Sequence, residues 1–186
     1  MSSVKPGQIL FYAGERLRCP GQAAWGIGQV LEDTAETNVS VFFEQFGRKV
    51  IDVERVAITR VDTGRQAHPI LDLLLEDLNW KKAHHSIYVA LLEKAVLNHQ
   101  KFREANRQYQ PGKACVYVGM TGLDPARRFE NHKKAYKSNY YVQRYGIRLL
   151  DRIVESFNPM PYRLAQAMEE ETAKRLRELG HAVWQH

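Results

Sequence analysis

The sequence predicts an all-β unit followed by a mixed α+β unit. Three observations carry this. Residues 5–61 are a series of short runs rich in Val, Ile and Phe, divided by turn residues. From residue 84 onward, two apolar β-branched runs alternate with stretches of helical spacing. The chain has 186 residues, of which 44% are apolar, enough for one or two buried cores and too many for wholesale disorder.

In the first unit, "QILFYA" reads as a strand and "GERLRCPGQ" as a polar loop. "WGIGQVLED", "NVSVFFEQF" and "KVIDVERVAITRV" read as further strands, and Gly47 in "FGRKV" marks a tight hairpin. Short strands spaced by turns predict a small barrel over residues 1–64. Trp25, Phe42, Phe43 and Phe46 are candidates for a binding surface, but alternation of faces along a strand assigns at least two of them to the core. The unit has no His, and its charges are scattered, so it is expected to bind or target rather than to catalyse. Residues 65–83 read as a linker with one short helix, in which Ile70, Leu73, Leu74 and Asp77 recur at helical spacing.

The second unit, residues 84–186, opens with the buried-looking strand "HSIYVALL" and a polar, partly helical stretch that Gln110-Pro111-Gly112 closes. "ACVYVGM" is the next strand. Asp124 and Pro125 then suit the N-cap and first position of a helix, which is predicted to run to about Lys137. Arg128, His132 and Ala135 would share one face of it, with Arg127 turned about 100° away.

A long helix is predicted after "NPMP", ending before Gly180, with Leu164, Met168, Thr172 and Leu176 as its apolar seam. Three consecutive acids, Glu169, Glu170 and Glu171, cross it. Glu170 shares its face with Gln166, Lys174 and Arg177 and should meet water. Glu169 lies between Ala165 and Ala173, beside the seam. A carboxylate aimed at an apolar face is costly unless a cation meets it. A metal or an ordinary salt bridge to Arg would each satisfy it.

Net charge is +6, and it is not spread evenly. Residues 1–66 carry 8 basic and 8 acidic side chains, whereas residues 113–152 carry 9 and 3. That block matches the whole excess and suggests a polyanion such as nucleic acid. A merely solvated basic surface is the other reading. No stretch approaches the roughly 20 apolar residues of a membrane span, and the N-terminus lacks the pattern of a secretory signal. Two cysteines, Cys19 and Cys115, are too few for a disulfide scaffold or a structural zinc site. A reduced, cytoplasmic setting is expected.

The order of strand "SIYV", strand "VYVG", a helix with Arg128 and His132, and a Glu helix ending in "VWQ" resembles the GIY-YIG nuclease family, over residues 84–186. Its namesake tripeptides appear as Ile87-Tyr88-Val89 and Tyr117-Val118-Gly119. Ser86 stands where the family's first Gly is usual, Met120 where Lys is frequent, and the spacer between the tripeptides is long. The resemblance implies an α/β (α+β) domain with a central three-stranded antiparallel sheet and flanking helices. It implies an endonuclease that hydrolyses phosphodiester bonds in DNA with one divalent metal ion, Mg²⁺ or Mn²⁺.

By the same resemblance, Tyr88 and Tyr117 would face the scissile phosphate, and one of them or His132 would assist deprotonation of water. Arg128 would pair with phosphate oxygens and Glu169 would ligate the metal. Gly119 would let the backbone pass close, and Gln185 would stand where many relatives have Asn. Arg127, Lys133 and Lys134 would track the DNA backbone. For a tyrosine to act as a base, nearby cations such as Arg128, Lys133 and the metal would have to lower its pKa. Separately, "PGQILFYAG…WGIGQVLE…VSVFFEQFGRKVI" resembles Tudor-like, SH3-like barrel modules, which implies a protein or nucleic-acid partner for the first unit. The alternatives to an enzyme are a protein that keeps the fold for binding alone, or an adaptor working through the barrel.

Overall fold

The computed structural model describes residues 10–62, 68–76 and 80–185. The chain is mixed α+β and divides into two units, residues 1–78 and 79–186, each with its own sheet.

In the first unit, five strands form one antiparallel sheet: β1 (Arg16–Arg18), β2 (Gly28–Val30), β3 (Asn38–Phe43), β4 (Gly47–Asp52) and β5 (Thr59–Val61). Their order is β4-β3-β2-β1-β5, with β4 and β5 at opposite edges. Among the described residues no pairing joins these edges, so the sheet is not closed there and the small barrel predicted is seen only as a five-stranded antiparallel sheet. The stretch read as "QILFYA" contributes a single bridge, Phe11 to Thr34, and its first residues lie outside those described. "KVIDVERVAITRV" is two strands broken by a turn. Gly47 does close the β3–β4 hairpin, at φ 83°, a left-handed conformation that a side chain would strain.

Phe11, Leu17, Val39, Val41, Phe43 and Ile51 form the core on one sheet face, with Trp25 and Phe46 packed against it. Phe42 and Phe43 are both fully buried, so these two aromatics are core. Helix α1 (Pro69–Leu73) packs into this same unit. Buried Arg16 hydrogen-bonds Gln29 and pairs with Asp72 of α1, while His68, the N-cap of α1, pairs with Glu44. Ile70 and Leu71 are buried. Burying two such side chains stabilises by about 3–6 kcal/mol before entropy is counted. The helix predicted as part of a linker is therefore a structural member of the first unit. Gly64 and Asp77 lie outside the described residues.

The second unit is a four-stranded sheet in the order β8-β6-β7-β9: β6 (Ser86–Leu92), β7 (Cys115–Thr121), β8 (Gly146–Leu149) and β9 (Ala182–Gln185). β6 pairs antiparallel with β7 and β8, but β9 lies parallel to β7. The sheet is thus mixed and one strand larger than the three-stranded antiparallel sheet expected. The long helix α5 (Tyr162–Glu178) returns the chain to the starting end of β7, which permits the parallel pairing.

One face, carrying Tyr88, Ala90, Leu92, Cys115, Tyr117 and Ala182, packs on Val96, Phe102, Tyr141 and Val142. The last three belong to helices α2 (Gln100–Glu104) and α4 (Tyr140–Tyr145). α5 packs on β6, β7 and β9. Its buried residues are absent from that first cluster, so it covers the opposite face, where Ile87, Val89, Val116, Val118 and Val183 point. The free edge of β6 beyond β8 is closed by Asn158, whose side-chain amide exchanges two hydrogen bonds with the Ile87 backbone at 2.9 and 2.8 Å.

Helix α3 (Pro125–Lys133) starts as predicted, with the Asp124 side chain accepting from the Arg127 N–H at 3.0 Å. It stops four residues short of Lys137. Ala135 and Lys137 take positive φ of 62° and 44°, and the chain folds back. Ala135 is consequently not on the Arg128–His132 face.

Candidate functional site

Tyr88 from β6, Tyr117 from β7, Arg128 and His132 from α3 and Glu169 from α5 converge on one place. The β6–β7 register sets Tyr88 opposite Gly119 and Tyr117 opposite Ala90, so both tyrosines leave the same sheet face. Their ring centroids are 5.9 Å apart. The His132 ring stands 6.2 Å from Tyr88 and 5.8 Å from Tyr117, and its Nε2 is 2.8 Å from Tyr88 Oη. Arg128, one turn earlier on α3 and half-buried, is close enough to act electrostatically on all three rings.

Glu169 is 7% exposed, Glu170 faces water, and Glu171 is tied to Arg175 at 3.0 Å and Lys174 at 3.8 Å. Its helix covers the face away from the tyrosines, yet its carboxylate still acts on Tyr117. β9 pairs with β7 as far as Val118 among the described residues. The Tyr117 ring runs along the strand to the level of Gly119, where its hydroxyl lies near that of Tyr88.

Gly119 is a steric requirement. A Cβ there would lie 2.6 Å from Tyr117 Cε1, 3.0 Å from Tyr117 Oη and 2.9 Å from Tyr88 Oη. Its missing side chain is the space in which the two hydroxyls meet. Gly119→Ala is expected to displace both rings and cost about 1–3 kcal/mol of stability. Thermal denaturation checks this, and an unchanged melting temperature would refute it.

Burial governs the electrostatics. It pushes the Tyr88 phenol far above its ordinary pKa, reinforced by Tyr117 and opposed by Arg128. It also raises Tyr117; the hydrogen bond from Tyr88 lowers it, Glu169 raises it and Arg128 lowers it. Arg128 lowers both phenols, as expected of a nearby cation, but desolvation outweighs it, and among the protein's own groups both phenols are neutral at pH 7. Burial, with Arg128 adding to it, lowers His132 to about 4.

That last shift has a signed consequence. A histidine kept neutral by the fold stabilises it above the unfolded pKa, near 6.5. As pH falls from 6.5 towards 4, the unfolded chain takes up a proton that the folded chain refuses, and this stability is lost. Across that window the loss is about 3 kcal/mol. Urea melts at pH 7 and 4.5 should show it in the wild type and lack it in His132→Gln.

The flanking residues divide. Arg127 and Lys134 are exposed on or beside α3. Lys133 is committed elsewhere: its ammonium donates to the Gln143 and Gly146 carbonyls, each at 3.0 Å, at the end of α4. It is a helix-end cation, not a cation for the tyrosines. Gln185 pairs with Val118, on the face away from Tyr117, and its Oε1 accepts from Arg177 at 3.1 Å. Sequence reasoning missed Asn139, whose main-chain N–H donates to His132 Nδ1 at 2.8 Å. Its side chain caps α4, and an Asn before "YYVQRY" is a recognisable N-cap.

The donor set bears on a metal. Among the described residues no group of three or more His, Cys, Asp or Glu is placed to hold an ion. A soft, fully protein-ligated ion does not fit. A hard divalent ion that keeps most of its water fits one buried carboxylate, Glu169.

An α+β protein whose second unit holds buried Tyr88, Tyr117, His132 and Glu169 with half-buried Arg128 is thus what fold and site define. A family model described as "Protein of unknown function (DUF3553)" matches residues 11–61, the strands of the first unit and less than a third of the chain. No curated protein and no solved structure matches.

Proposed function

We propose that the second unit is a metal-dependent phosphodiesterase of the GIY-YIG type that cleaves DNA. The observation behind this is the convergence of Tyr88, Tyr117, Arg128, His132 and Glu169 from four separate elements, with Gly119 kept bare to admit the hydroxyls. Hydrolysis adds a water oxygen to phosphorus and breaks one P–O ester bond, and the water's proton ends on the leaving oxygen. Arg128 offsets charge that grows on the phosphate oxygens. The neutral phenols orient the water and relay its proton. A divalent ion on Glu169, its shell completed by phosphate and water, would act as a Lewis acid. Basic residues of 113–152, with exposed Arg127 and Lys134, track the backbone.

The first unit is read as a targeting module for protein or nucleic acid. Its strand order, with β1 between β2 and β5, supports an SH3-like arrangement. Among the described residues no helix is long and apolar enough to cross a membrane, and both cysteines are free and buried, which supports a reduced cytoplasmic setting.

One observation favours binding without cleavage: Tyr88 and Tyr117 are only 1% and 5% exposed, which suits structural aromatics. Incubating the full chain with supercoiled plasmid and with single-stranded DNA, in Mg²⁺, Mn²⁺ and EDTA, separates the readings. Metal-dependent cutting supports the enzyme. Gel-shifted but intact DNA under every condition supports the binder.

A further inference from the structure

A histidine touching a phenol beside a substrate site is ordinarily taken to pull the proton off it. The hydrogen bonds here run the other way. A main-chain N–H can only donate, so the 2.8 Å bond from Asn139 N to His132 Nδ1 requires a lone pair on Nδ1. A neutral imidazole carries one ring proton, which then sits on Nε2. Nε2 faces Tyr88 Oη at 2.8 Å, so the imidazole donates and the phenol oxygen accepts.

We propose that His132 is a positioning residue and not a proton acceptor: Asn139 locks its tautomer, the ring donates to Tyr88, and the Tyr88 proton is thereby turned towards Tyr117. The directions of the two hydrogen bonds at His132 stand on geometry alone, and only their kinetic consequence rests on the phosphodiesterase reading.

The surroundings agree. With its oxygen accepting from His132, Tyr88 has its single O–H left for another partner, and the Tyr117 hydroxyl lies beside it over Gly119. Arg128, on the same face of α3, carries a fixed positive charge and opposes a second one on the imidazole. Protonating His132 would also set an N–H against the Asn139 N–H. The ring is 1% exposed, so water cannot compensate. The lock arises because α3 ends at Lys133 and the chain turns back through Ala135 and Lys137 to bring Asn139 over the ring. The relay then has a direction, from His132 through Tyr88 to Tyr117, whose hydroxyl lies over Gly119 within the field of Glu169.

Two measurements on the full chain test this. The first is nitrogen-15 NMR of the labelled histidine ring. Signals of an Nε2-protonated neutral tautomer, unchanged from pH 8 to 6, are expected for His132, assigned by their loss in His132→Gln. An Nδ1-protonated tautomer, or an imidazolium forming in that range, overturns the proposal, and this result does not depend on any activity. The second is cleavage rate. Glutamine can accept with its oxygen and donate with its nitrogen but cannot act as a base near neutral pH. His132→Gln should stay within about tenfold of wild type, because only a donor is needed. A loss of about 100-fold or more in a folded His132→Gln protein is what removing a general base produces, and it overturns the proposal. Absence of cleavage in the wild type would sink the phosphodiesterase reading and leave the NMR result to decide this one.

Discussion

Glu169→Gln is expected to abolish DNA cleavage, by more than about 100-fold, while leaving DNA affinity equal or slightly higher. Three consecutive acids offer three candidates for this role, and the structure separates them. Glu169 is buried and acts on the Tyr117 hydroxyl. Glu170 faces solvent on the other side of α5, and Glu171 is spent on Arg175 and Lys174. Gln is nearly isosteric with Glu, so the variant should remain folded. What it loses is the negative charge that would hold a divalent ion, and with that charge gone a DNA phosphate is repelled less. Glu170→Gln should cut almost normally. Glu171→Gln gives up a partly exposed helical ion pair worth about 0.3–0.5 kcal/mol and should also cut. Cleavage rates and DNA affinities of the three variants decide the matter together. A dead Glu170→Gln or Glu171→Gln beside a live Glu169→Gln would mean that the wrong carboxylate has been chosen.

Arg128→Ala is expected to lose about 100-fold or more in rate, as removal of a preorganised charge stabiliser does. Arg128 is half-buried against Tyr88, Tyr117 and His132, where water screens it poorly. Arg127, its neighbour, is exposed and turned about 100° around α3. Arg127→Ala should keep its turnover and bind DNA more weakly, with a shallower dependence of affinity on salt. The two variants thus predict different signatures from adjacent residues of the same type. Cleavage at saturating DNA and binding titrations at several salt concentrations report them, and equal effects on both quantities would contradict the separation.

The parts of this centre that sequence could reveal are those written as local pattern. β6 and β7 are continuous β-branched runs, and Asp124-Pro125 is a helix start with a stated mechanism. The inward turn of Glu169 followed from its place among the alanines of α5. Other features had no local signal. β8 is four residues long, with Ile147 and Arg148 both exposed, so it has no apolar period to read. The parallel placement of β9 depends on where α5 delivers the chain. The early end of α3 comes at Ala135 and Lys137, residues that rarely adopt positive φ, and no glycine announces it.

Long-range hydrogen bonds redirected two predicted roles. Lys133 is taken by carbonyls at the end of α4, and Gln185 by Arg177. In the first unit, the short helical pattern at 70–74 read correctly as a helix. Its membership of the first unit rests on the pairing of Arg16 with Asp72, 56 positions apart, which no local pattern announces. Burial also sets the larger electrostatic effect: Arg128 lowers both phenols, but the dry strand face that holds them raises them more.

The central claim is that these side chains act as one centre, and a double-mutant cycle in single-turnover cleavage tests it most directly. Tyr117→Phe and Arg128→Ala come from different elements, β7 and α3, and meet only at the site. If they serve one transition state, losing either disables most of what the other contributes. The double variant should then be no more than a few-fold slower than the slower single variant. If the double variant instead loses the full product of the two separate factors, about 10⁴-fold for two losses of about 100-fold, the residues act independently and the single-centre reading is contradicted.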